Sequence, residues 1–100
     1  MRVLVLLPAF LVACATDMPA GDATAGEQIY TDNCETCHMV DGTGDSANGY
    51  PDLTAEKPST DETIDLVTNG EGDMPEFGST LSEQDIMDVA AYVDATFVNP

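Results

Sequence analysis

The sequence predicts an all-α domain, three to five short helices packed round something that side chains alone do not supply. Apolar residues recur at helical spacing near Ile29, near Ile64 and from Ile86 to Phe97, each run opened by a capping residue. No stretch alternates as a half-buried strand would. The core, by contrast, is thin. Beyond residue 13, Leu, Ile, Val and Phe number 13 of 87, about 15%. Below roughly 20%, with high net charge, a chain reads as disordered. Helix signals and a thin core are compatible if a disulfide, a metal or a cofactor completes the interior.

The chain has 100 residues, room for one small domain and no multidomain enzyme. Asp and Glu number 19 against 2 Lys and Arg, a formal net charge of −17. Such a surface repels phosphate backbones and anionic headgroups, so nucleic acid and direct lipid binding by the folded part are excluded. The acid excess has two explanations, a docking charge or adaptation to high salt. Acids occur in every segment rather than in one cluster, which favours the second.

Taken in order, Met1-Arg2 opens a short basic start, and Val3–Val12 is an apolar run broken by Pro8. The run is too short to span a bilayer, which needs about 20 residues. It fits the hydrophobic region of a signal peptide at 1–13. It ends Leu11-Val12-Ala13-Cys14, which resembles the lipobox of bacterial lipoproteins. The resemblance implies cleavage before Cys14, lipidation of its thiol and a lipid-anchored protein in the bacterial cell envelope, facing the periplasm or outer surface. Residues 14–21 then read as the lipidated Cys and a flexible tether, and 22–100 as the folded domain.

The first helix is expected from Ala23 to about Cys34, capped by Asp22, with Ala25, Ile29 and Tyr30 as its apolar stripe. Gly26 costs it about 1 kcal/mol of propensity and wants a packing reason. Then comes Cys34-Glu35-Thr36-Cys37-His38, the C-x-x-C-H attachment signature for c-type haem. One helical turn brings two thiols together, one for each vinyl group, and places His38 beneath the iron as proximal ligand. A zinc site would need four such ligands, and the chain holds only one His. A thioredoxin-like pair would want a βαβ context that is missing.

Residues 39–50 are rich in Gly and read as a loop round the haem edge. Ser59 or Thr60 can cap a short helix over Asp61–Asn69, with Ile64 and Val67 inward and a left-handed cap at Asn69-Gly70. The last helix is the clearest. Ser82-x-x-Asp85 resembles a capping box, and Ile86, Val89, Ala90, Val93 and Phe97 form one stripe. Asp88 and Asp94 fall on the opposite face, and Tyr92 lies beside the stripe, within reach of the first helix.

The other side of the iron has four Met candidates. Met18 lies in the tether, Met39 adjoins His38, and Met87 lies off the apolar stripe. Met74 sits in a loop, and Pro75 restricts it to an extended conformation that suits a side chain aimed inward. With a thioether opposite His38 the iron is closed, leaving no place for a substrate.

Gly26-x-x-x-Tyr30, the haem motif, Asp41-Gly42-Thr43-Gly44, Pro51-Asp52-Leu53, Met74-Pro75-x-Phe77 and the Val89–Val93 helix, in that order and spacing, resemble a small monohaem class I c-type cytochrome. The resemblance spans about Gly21 to Phe97. It implies the cytochrome c fold, an all-α arrangement wrapped round one covalent haem c, with thioethers at Cys34 and Cys37 and axial ligands His38 and Met74. It assigns the Pro51 carbonyl to the His38 ring N–H, Leu53 to the porphyrin face, and Gly26 to a close crossing by the last helix.

The implied function is electron transfer, not catalysis. The protein would be a monomer shuttling one electron between redox protein partners with a basic docking face. No small-molecule substrate is implied, and the membrane is met only through the lipid anchor. A five-coordinate haem sensor or gas-binding protein, or a haem subunit of a larger redox complex, are the alternatives.

Overall fold

The computed structural model describes residues 20–100. The signal segment 1–13, Cys14 and Met18 lie outside the described residues. Among the described residues five α-helices follow in order: α1 (Ala23–Asn33), α2 (Glu35–His38), α3 (Leu53–Glu56), α4 (Thr60–Asn69) and α5 (Glu83–Val93). A 3-10 turn at Ser46–Asn48 and a π-helical turn at Asp94–Val98 complete the set. Among the described residues there is no strand, only isolated bridges at Asp45–Tyr50 and Glu71–Met74.

The frame is the crossing of α1 and α5. Asp22 caps α1 as expected, its carboxylate accepting from the amides of Thr24 at 2.9 Å and Ala25 at 3.4 Å. Satisfying those first-turn donors lets the helix start where it does. The buried face of α1 is Gly26 and Tyr30, not the expected Ala25, which is exposed. The reason is distance. A Cβ on Gly26 would stand 2.0 Å from the carbonyl oxygen of Asp88, so the two helices touch backbone to backbone. Gly21 makes the same kind of contact with Met87, and the Ala20 carbonyl faces the Gln84 amide at 3.5 Å. The chain is therefore packed on α5 from residue 20.

Helix α5 carries the core. Its capping box is complete in both directions, Ser82 Oγ accepting from the Asp85 amide and Asp85 from the Ser82 amide. Ile86, Val89, Ala90, Val93 and Phe97 are all buried, as the stripe predicts. Asp88 is the correction. It is 6% exposed, and its Oδ1 accepts from the Asp22 amide at 2.8 Å and the Gln84 side chain at 2.9 Å. A buried carboxylate needs such donors. The start of α1, with its own free amides, supplies one.

Tyr30, Tyr92 and Phe97 form an aromatic cluster, with ring centroids 5.3 Å apart from Tyr30 to each of the others and 5.8 Å between those two. Edge and tilted contacts at these distances add specificity beyond burial. Helix α4 opens on Ser59, with a capping box to Glu62. Val67 is buried, Ile64 half-buried, and Thr63 joins them. Gly70 ends α4 with φ 72° and ψ 173°, on the positive-φ side that glycine favours but outside the left-handed helical region. Helix α3, unforeseen in the sequence, is one turn started by Asp52, which accepts from both the amide and the hydroxyl of Thr54. Lys57 ends it and reaches the Val98 carbonyl at 3.3 Å, at the C-terminal end of the last turn, where a cation is favoured.

Candidate haem site

The site grows from the junction of α1 and α2. The chain turns at Cys34, whose amide still bonds to Tyr30 and whose carbonyl accepts from Cys37 and His38. That single turn sets both thiols and the imidazole on one wall. The loop after His38 returns to it. The Gly44 amide donates to the His38 carbonyl at 2.9 Å, and the Leu53 amide to the Gly42 carbonyl at 2.7 Å. This return brings the Pro51 carbonyl to 3.1 Å from His38 Nδ1. A carbonyl only accepts, so the ring proton sits on Nδ1 and the Nε2 lone pair is left for a metal.

The opposite segment is the loop after α4. Glu71 and Met74 exchange backbone hydrogen bonds of 3.1 and 2.9 Å. Phe77 and Gly78 then bond back to the carbonyls of Val67 and Thr68 at 2.9 and 3.1 Å. Met74 is thus presented by a loop pinned at both ends to α4.

Between these walls lies a cavity of about 770 Å³. Cys34, Cys37, His38, Pro51, Leu53 and Met74 all line it, so the six residues singled out in the sequence within the described region meet at one place. Tyr30, Tyr50, Leu66, Val67, Phe77, Val89 and Val93 add an apolar and aromatic lining. A cavity of a few hundred Å³ lined this way is sized for a cofactor. Two thiols, one imidazole with a free Nε2 and one thioether on apolar walls fit a covalent iron porphyrin, and fit a hydrated ion poorly.

Burial pushes the Cys34 thiol up to about 11. The Cys37 thiol beside Tyr50 raises the phenol of Tyr50. Burial raises Tyr30 too, and its hydroxyl donates to the Met39 carbonyl at 2.6 Å. Outside the cavity, hydrogen bonds from Thr43 hold the Asp41 carboxyl below the usual range. Sequence reasoning missed two features of the site. One is Tyr50, which flanks Cys37. The other is the set of exposed acids Glu56, Glu62, Asp65, Glu71 and Asp73 that line the cavity. The acids were visible as composition, but only the fold gathers them there.

Residues 21–93 match the family model "Cytochrome C oxidase, cbb3-type, subunit III". The chain belongs to the small class I c-type cytochromes. It is 36% identical over 98 residues to cytochrome c6 of Picosynechococcus sp., covering 85% of this chain and 82% of that one. It is 36% identical over 84 residues to the cbb3-type cytochrome c oxidase subunit CcoP of Cereibacter sphaeroides, covering 77% of this chain but 28% of that protein. The solved cytochrome c6 of the diatom Phaeodactylum tricornutum superposes with a TM-score of 0.56 at 36% identity, covering 75% of this chain and 93% of that one. As a c-type cytochrome the protein carries one covalent haem c and transfers electrons.

Proposed function

We propose that the protein is a lipid-anchored electron shuttle whose haem is held by thioethers at Cys34 and Cys37 and by axial ligands His38 and Met74. The observation that carries the reading is that these four side chains line one cavity, three from the α1–α2 junction and Met74 from a separate, pinned loop. When bound, the haem supplies an iron that takes up and gives back one electron.

The chain's residues do the rest. The Pro51 carbonyl fixes the His38 tautomer and ring plane. Leu53, Phe77, Val89 and Val93 keep water from the interior faces of the cavity. The soft Met74 sulfur favours the reduced iron and raises the potential, while the surrounding acids favour the oxidised state. With His38 and Met74 as its two iron ligands, the bound haem would leave no room for substrate, which supports a carrier rather than an enzyme.

The exposed carboxylates that line the cavity support a redox protein partner with a basic face, and the shuttle would meet it as a monomer. Encounter with such a partner slows steeply as ionic strength rises. Cys14 would carry the lipid that holds the shuttle in the bacterial envelope. The test of the closed iron is carbon monoxide added to the reduced holoprotein. Slow or absent binding is expected. Immediate, stoichiometric binding would establish an open site and favour a gas-binding protein instead.

A further inference from the structure

We infer that Tyr30 is a positioning residue for His38, its hydroxyl clasping a strained Met39 peptide so that the imidazole keeps one orientation. The inference rests on His38 being the iron ligand proposed above. Met39, the next residue, has φ 70° and ψ 163°. Glycine enters that region freely, but a side chain there is strained and persists only where its surroundings force it. The surroundings here are few and specific. The Met39 amide donates to the Glu35 carbonyl at 2.8 Å, closing α2. The Met39 carbonyl accepts from the Gly42 amide at 3.1 Å and from the Tyr30 hydroxyl at 2.6 Å.

The Tyr30 hydroxyl is the part of this arrangement that packing does not explain. Tyr30 is 1% exposed, and its ring is held by Tyr92 and Phe97. A phenylalanine ring would fill the same volume. What the oxygen adds is a bond from the last turn of α1 to the Met39–Val40 peptide, one residue beyond His38. Across the Met39 Cα, in the preceding peptide, the His38 carbonyl accepts from Gly44, and the His38 ring donates to Pro51. The φ torsion of Met39 sets the His38 and Met39 carbonyls relative to each other, so with the Tyr30 bond gone its relaxation loads the Gly44–His38 bond and, through His38, the ring bond to Pro51. The clasp therefore acts on the ligand through the backbone rather than by touching it.

The experiment compares two holoprotein variants, Tyr30→Phe and Ile86→Val. Ile86 is 4% exposed in the same core and does not line the cavity, so its variant controls for general loss of stability. In Tyr30→Phe the Gly44 amide should exchange at least about tenfold faster than in Ile86→Val, the mark of a local opening. The low-spin electron paramagnetic resonance g-values of the oxidised protein should shift in Tyr30→Phe alone. Met39→Gly removes the strain, so adding Tyr30→Phe in that background should change neither readout. Equal behaviour of Tyr30→Phe and Ile86→Val, or an undiminished Tyr30→Phe effect beside Met39→Gly, overturns the clasp. A wild-type spectrum without histidine ligation overturns the ligand reading and the clasp with it. Histidine ligation with a silent Tyr30→Phe overturns the clasp alone.

Discussion

Gly26 lies directly against the backbone of Asp88, with room for no further atom: a Cβ there would stand 2.0 Å from the Asp88 carbonyl oxygen and 2.9 Å from the Tyr92 Cβ. Backbone cannot step aside as a flexible side chain can. Gly26→Ala must therefore push α1 off α5 and open the aromatic cluster behind it, an overpacking cost of about 3 kcal/mol. For a domain this size the melting temperature of the holoprotein should fall by about 10 °C or more. An unchanged melting temperature would show that the helices cross less closely than this.

Asp88 should be sensitive in a graded way. Asp88→Ala leaves the Asp22 amide without its buried acceptor and should cost about 1–3 kcal/mol. Asp88→Asn keeps an oxygen in place and should cost less. Denaturant midpoints of the two variants decide the point, and equal losses would assign the stabilisation to the charge rather than to the hydrogen bond.

The α5 stripe and its capping box were legible in the sequence because both are local, a periodicity and a residue pair within one turn. Asp88 was read as solvent-facing for the same reason: on α5 alone it lies opposite Val93. Its burial is a tertiary fact, made by two glycines that let the start of α1 settle over it. Ala25 was misread through the same contact, since the closest approach falls at Gly26. Of the site, the haem motif was readable as chemistry, and Met74, singled out by elimination and resemblance, lines the same cavity. The one-turn helix α3 left a faint trace in Asp52-x-Thr54, a side-chain cap too short to distinguish from a loop turn. The Tyr30–Met39 bond left none, because nothing in sequence marks a positive φ at a methionine.

Asp41 gives a pH prediction. The Thr43 hydroxyl and amide hold its carboxyl below the ordinary value. A group depressed on folding contributes stability above its unfolded value and loses it as pH falls through the folded one. Thr43→Ala removes the hydroxyl donor but keeps the amide, so the Asp41 titration seen by carboxyl NMR should move part of the way up. An identical titration curve in the variant would leave the hydroxyl without a role.

Removing the haem should unfold the chain. Among the described residues Tyr30 and Val89 are the largest side chains fully buried, and the cavity walls have little else to close on. Without the cofactor, circular dichroism should show little helix and no cooperative melt. A cooperative apoprotein transition would mean that the α1–α5 crossing is stable unaided.

The most direct test of the proposed ligation is the far-red absorption of the oxidised holoprotein. Ligation of the iron by His38 and Met74 predicts a weak sulfur-to-iron band that is present in the wild type and lost in Met74→Ala, while the covalent haem remains attached. A band that survives Met74→Ala, or a wild-type protein without one, would contradict Met74 as the sixth ligand and with it the closed iron of an electron carrier.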